Sequence, residues 1–133
     1  MASFPDIEAA LLLLLAPLAG GASHIATQTD PGLVEKLPFV RVYRFGGTDD
    51  GFTDEARVGV DAFAATRPGG YALAESLRQL LADGPHSVLT PGGWVVLDTS
   101  ETGAAPVEVP YGDSRVRRWA ADYRITARRP VGA

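Results

Sequence analysis

The segment RWAADYRITAR, residues 118–128, alternates with a period of two. Trp119, Ala121, Tyr123, Ile125 and Ala127 fall on one side. Arg118, Asp122, Arg124, Thr126 and Arg128 fall on the other. Only an extended strand sends successive side chains to opposite faces. The segment therefore predicts a long strand with an apolar inner face and a basic outer face. Such a strand suits an antiparallel sheet that buries one face and solvates the other.

A second segment repeats the pattern. Over residues 56–66, Ala56, Val58, Val60, Ala62 and Ala64 face one way, and Arg57, Gly59, Asp61 and Phe63 the other. Residues 38–45, PFVRVYRF, are rich in β-branched and aromatic side chains and predict another strand. Shorter strands are predicted over 24–29, 94–99 and 107–111, with DPG (30–32) and TPGG (90–93) as turns and SETGAAP (100–106) as a loop.

Two segments have helical periodicity instead. Ser3 and Asp6 have the spacing of a helix start, and Pro5 fits a first turn. The helix runs to about Leu18, with Ile7, Leu11, Leu14, Leu15 and Leu18 as its stripe. Leu12 and Leu13 lie off that stripe, so the helix is apolar nearly all round. It must be covered on more than one side, by its own core or by another subunit. RPGGY (67–71) reads as a break. A second helix follows over 71–83, with Leu73, Leu77, Leu80 and Leu81 inward and Gly84-Pro85 as its stop. The order α-β-β-β-α-β-β-β predicts an α+β fold, a mostly antiparallel β-sheet with two α-helices packed on it.

At 133 residues the chain has the size of one domain, 1–133. It has no cysteine, which excludes disulfides, thiolate metal sites and cysteine nucleophiles. The apolar run at 10–18 is too short to span a bilayer, which takes roughly 20 residues. No Lys or Arg precedes it, so no targeting segment and no membrane association are expected. Charge is uneven: residues 111–133 carry +4, and residues 1–110 carry −8. An acidic and a basic region on one chain can pair head-to-tail between copies. Trp119 and Tyr123 lie opposite the arginines, so they read as core residues and not as stacking platforms for nucleic acid.

The one stretch that suggests chemistry is RFGGTDDGFTDEARVGVDAF, residues 44–63. It gathers Asp49, Asp50, Asp54 and Glu55 behind Gly46 and Gly47. Converging carboxylates can hold a metal, but adjacent Asp49 and Asp50 point apart, and the spacing is not that of a calcium loop. With strands on both flanks, the simplest reading is a hairpin loop of about ten residues, solvated or touching a partner. A small metal-dependent hydrolase using loop 49–55 and His24 is the alternative. His24 and His86 belong to no metal-binding pattern, no serine sits in a nucleophile elbow, and the glycine runs match no nucleotide loop.

The sequence as a whole resembles the tail terminator, or tail completion, proteins of long-tailed phages, especially those infecting actinobacteria. The resemblance rests on Arg44, Gly46, Gly47, Thr53, Asp54, Ala56 and Arg57 in the hairpin, the helix YALAESLRQLLADG, and the final YRITARR strand. It implies a non-enzymatic virion protein at the head–tail junction, with no cofactor and no catalytic residues. It implies a homo-oligomeric ring, commonly a hexamer, that caps the tail tube protein, ends tube polymerisation and meets a head-completion or connector protein. DNA passes through the ring without specific binding. Another neck component is the related alternative. Leu12, Leu13, Asp49, Asp50, Asp54, Arg118, Arg124 and Arg128 are the expected subunit or partner contacts.

Overall fold

The computed structural model describes residues 3–129. Helix α1 spans Ile7–Ala19, and α2 spans Arg67–Ala82. Six strands, β1 (Ile25–Ala26), β2 (Phe39–Asp49), β3 (Thr53–Ala64), β4 (His86–Thr90), β5 (Gly93–Val109) and β6 (Arg117–Arg128), form one sheet. Their order across it is β1-β2-β3-β6-β5-β4. Every neighbouring pair is antiparallel except β1 with β2. The fold is α+β, as the periodicities predict.

β6 lies between β3 and β5, and its alternation is realised. Trp119, Tyr123, Ile125 and Ala127 are buried, and Arg124 and Arg128 are exposed. Ala56, Val58, Val60 and Ala62 of β3 share the inner face, against Leu11 and Leu15 of α1 and Leu77 and Leu81 of α2. The outer face is not wholly solvated. Phe39 and Phe63 pair across β2 and β3 and are sealed by Leu33 and Val116 into a second, smaller core. β3 is therefore buried on both faces over its last residues, not half-buried throughout.

The apolar excess of α1 has a local explanation. α1 touches β2 near one side of the sheet and β4 at the other, so the sheet curls around it, and α2 packs alongside. Leu12, Leu14 and Ala16 are then partly covered within the chain. Leu18 departs from its predicted inward place and is exposed, as is Leu13. The helix starts one residue after Asp6, whose carboxylate accepts from the Ala9 N–H. Asp6 itself is the cap, and Pro5 precedes the helix instead of sitting in its first turn.

Four local readings are corrected. RPGG is the first turn of α2 and not a break. Thr66 caps it through the Gly69 N–H, and Pro68 sits where a missing N–H costs nothing. Residues 100–106 are strand, not loop, absorbed by register shifts in the β5–β6 pairing. β4 is a strand where only a helix stop and a turn are legible. The strand expected over 24–29 shrinks to two residues behind a 3-10 turn at Ala22–His24. A missed strand and a split one offset each other, so the order of element types agrees while two assignments beneath it do not.

The hairpin β2–β3 is longer than expected. Its strands run through the glycine pair to Asp49 and from Thr53, leaving residues 50–52 as the turn. A register shift between Arg44 and Gly46 makes this possible. Gly47 has φ 139°, and a Cβ there would lie 2.1 Å from the Glu55 carbonyl oxygen. Gly47→Ala is expected to cost about 2–3 kcal/mol, read as a lower urea midpoint, because it adds a backbone clash to a conformation L-residues avoid.

Burial pushes the Tyr123 hydroxyl up to about 12. The unfolded chain ionises this phenol near 10.0, so its folded pKa is the raised one. Its stabilising contribution is complete below pH 10 and is lost as pH rises through about 12. Urea melts between pH 9 and 12 should show a steeper alkaline loss for the wild type than for Tyr123→Phe.

Candidate functional site

The β2–β3 hairpin places every acidic residue of the 49–55 cluster. Asp49 and Asp54 are paired across the two strands, one residue from the turn. Asp49 accepts from the Gly51 N–H at 3.0 Å. Asp50 accepts from the N–H groups of Phe52 at 2.9 Å and Thr53 at 2.7 Å, closing the turn. These two N–H groups hold the Asp50 carboxyl below its usual range. Asp54 is buried and receives both Arg44 guanidinium nitrogens, at 2.6 and 2.7 Å. That bidentate pair raises the Arg44 pKa. The carboxylates thus serve turn and strand geometry, and the predicted ten-residue loop is three residues long.

The metal-hydrolase alternative loses its geometry here. His24 lies at the opposite end of the hairpin, where its Nδ1 contacts the carbonyls of Lys36 and Pro38, each at 2.8 Å. His86 places Nε2 2.7 Å from the Leu80 carbonyl, tying β4 to α2. Asp49, Asp50, Asp54 and His24 are not brought together. Among the described residues, no group of three or more His, Asp or Glu is disposed to hold a metal.

The arginines of β6 meet carboxylates of the same chain. Arg118 and Arg41 converge on Asp61, at 3.3 and 3.0 Å, and Asp61 is only 1% exposed. Arg124 lies 3.7 Å from Glu55 on β3 and 3.8 Å from Glu101 on β5. Arg128 pairs with Asp98 at 3.0 Å, which raises its pKa. Arg117 grips Glu108, and Arg115 holds the Asp113 carboxyl down at about 2. The charge asymmetry along the chain is therefore used largely inside the subunit. Arg41 and Asp61 were not legible as partners, because their pairing depends on the hairpin register. The only sequence signal was an aspartate within an apolar strand.

Beside this face runs a stack of rings and guanidinium groups. Arg41 lies 4.2 Å from the Tyr43 ring centroid, Tyr43 meets Phe45 at 6.2 Å, and Arg57 covers Phe45 at 5.2 Å. Tyr43 lies over Gly59, where no Cβ intervenes. Several large apolar side chains also remain uncovered. Phe52 at the hairpin tip is 73% exposed. Leu89 and Trp94, opposed across β4 and β5, and Val96 are exposed on one face of the edge hairpin. The surface is equipped for contact with other proteins.

A family model described as phage tail termination protein matches residues 3–133. The chain belongs to this family. It is a structural protein of the phage virion, with its place in the tail. A chain of the virion of a native gene transfer agent particle has a similar fold. It is 13% identical, with a TM-score of 0.59, over 92% of this chain and 94% of that one. No curated protein matches. In this tail protein, the groups that suggested chemistry stabilise strands, and among the described residues no helix is long and apolar enough to cross a membrane.

Two outcomes test the site's geometry. Asp54→Asn removes one half of a bidentate, mostly buried pair and is expected to cost about 1–3 kcal/mol in urea unfolding. The Asp50 carboxyl has a depressed pKa, so its hold on the turn is complete above the ordinary carboxylate range and is lost as pH falls through the lowered value. Amide exchange at Phe52 and Thr53, corrected for intrinsic rates, should accelerate there in the wild type and be fast at every pH in Asp50→Ala.

Proposed function

We propose that this chain assembles into a closed ring, six copies being the expected number, which caps the head-proximal end of the tail tube. The ring ends tube polymerisation and joins the tail to a head-completion or connector protein. DNA passes through its centre without sequence recognition. The observation that carries this reading is the family match over residues 3–133.

The geometry supports it in two ways. The β6 arginines and Asp54 are engaged with partners in the same chain. Exposed apolar groups then lie at separated places, which suits a subunit with several neighbours. Leu13 on α1 and Asp49 and Asp50 at the hairpin tip are available for such contacts. Leu12 and Arg118 are partly covered, and Asp54 is committed to Arg44. Arg124 and Arg128 present exposed guanidinium groups whose charge is already balanced.

Sedimentation of the purified chain, or of the chain with tail tubes, should show a species near six copies of the 14.0 kDa protomer. Microscopy of particles should place it between tube and connector. A chain that stays monomeric with tubes and is absent from particles would sink the proposal. Density elsewhere in the neck would reassign it to another neck component. Trp94→Ala should reduce tube or connector binding by roughly 10-fold while leaving the melting temperature unchanged, since an exposed aromatic contributes to interfaces and not to the core.

A further inference from the structure

The β2–β3 hairpin carries an apolar knob at one end and an apolar groove at the other. The knob is Phe52, in the three-residue turn between β2 and β3. Turn positions ordinarily hold small or polar residues, and a phenyl ring 73% exposed there has most of its apolar surface free for a contact. Asp49 and Asp50 flank it. Each spends one carboxylate oxygen on the turn backbone, so both stay beside the ring in a fixed geometry.

The groove is open to the surface at the base of the same hairpin and holds about 420 Å³. Leu18, Leu37, Pro38, Ala64, Ala72 and Leu73 form its apolar walls, a volume that admits a phenyl ring. Thr66 and Gly69, in the capped first turn of α2, complete its rim. That end of a 16-residue helix carries partial positive charge, and α2 has no acidic residue in its first turn to offset it. Arg67 follows Thr66, is exposed, and lies over the Trp119 ring at 5.3 Å. Leu18, an apolar residue left exposed by α1, is explained by the same groove.

We infer that Phe52 of one copy seats in this groove of the next copy, with Asp49 and Asp50 set against the start of α2. The acidic knob and the positive-ended groove are complementary in shape and charge. They stand at opposite ends of β3, about 36 Å apart for a strand of this length, so no chain can fill its own groove. A knob and a hole on different surfaces make a heterologous contact, the kind that closes rings when the rotation permits. The occupant is therefore a second copy of this chain. The inference rests on the ring reading for its biological setting, but the contact itself is independently testable.

The chain has no cysteine, so a designed pair reports cleanly. Full-length Asp49→Cys with Arg67→Cys, which keeps the Phe52 knob, oxidised mildly, should give a non-reducing ladder of head-to-tail multimers. Either single variant is limited to dimers. Phe52→Ser should weaken assembly by roughly 30- to 100-fold, the effect of losing one buried phenyl group. Normal six-copy rings from Phe52→Ser, with no ladder from the double variant, would overturn the contact and leave the ring standing. A ladder without closed rings would keep the contact and overturn the ring. Neither ladder nor ring would overturn both. Intact Phe52→Ser rings that no longer hold tail tubes would make the tube protein the occupant and overturn the second copy.

Discussion

The structure depends on where β6 is inserted. It sits between β3 and β5 and brings Trp119, Tyr123, Ile125 and Ala127 under the helices in one stroke. The same placement delivers Arg118, Arg124 and Arg128 to carboxylates contributed by both neighbours. Exposed pairs of this kind contribute little individually, about 0–1 kcal/mol. The buried aspartate is different. With Asp61 sealed from solvent, loss of either arginine leaves a carboxylate short of compensation, so the register of β3 against β6 is specified electrostatically as well as by burial. The helices, the hairpin and the edge strands are arranged around that register.

The final strand and the inner stripe of each helix were legible because periodicity alone decides them. Residues 119–127 bury the faces the alternation predicts, and Leu11, Leu15, Leu77 and Leu81 are core as expected. The failures have a common physical origin in glycine and proline read for their local meaning only. Gly70 looks like part of a breaker, yet it is in α2 because a Cβ there would lie 2.5 Å from the Trp119 ring. Gly47 looks like looseness, yet it permits the irregularity that lets β2 continue. Pro106 looks like a loop residue, yet it sits where β5 has no outer neighbour to receive a hydrogen bond. Each assignment depends on a partner far along the chain, which local pattern cannot supply.

The candidate site divides in the same way. The hairpin was correctly located, but its carboxylates turned out to be turn closures and ion-pair partners, a distinction set by three residues of loop length. The arginine face was correctly placed outward, but its partners on β3 and β5 could not be read without the strand order. The apolar tip, Phe52, is a single aromatic among four acidic residues and carries no periodic signal in the sequence. In the folded chain it is among the most exposed large apolar side chains, and the acids around it organise its presentation.

The outer stretch of β5 has a consequence for the free subunit. β4 pairs only with the start of β5, through Leu97, so residues 98–109 form an open edge twelve residues long. An edge of that length is ordinarily a template on which further strands add without limit. Here the ladder with β6 slips at three places, Pro106 removes a donor, and Glu101 and Glu108 place charge along it. Strand-by-strand growth into fibres is discouraged. A strand that approached this edge would find few consecutive backbone groups in register to pair with.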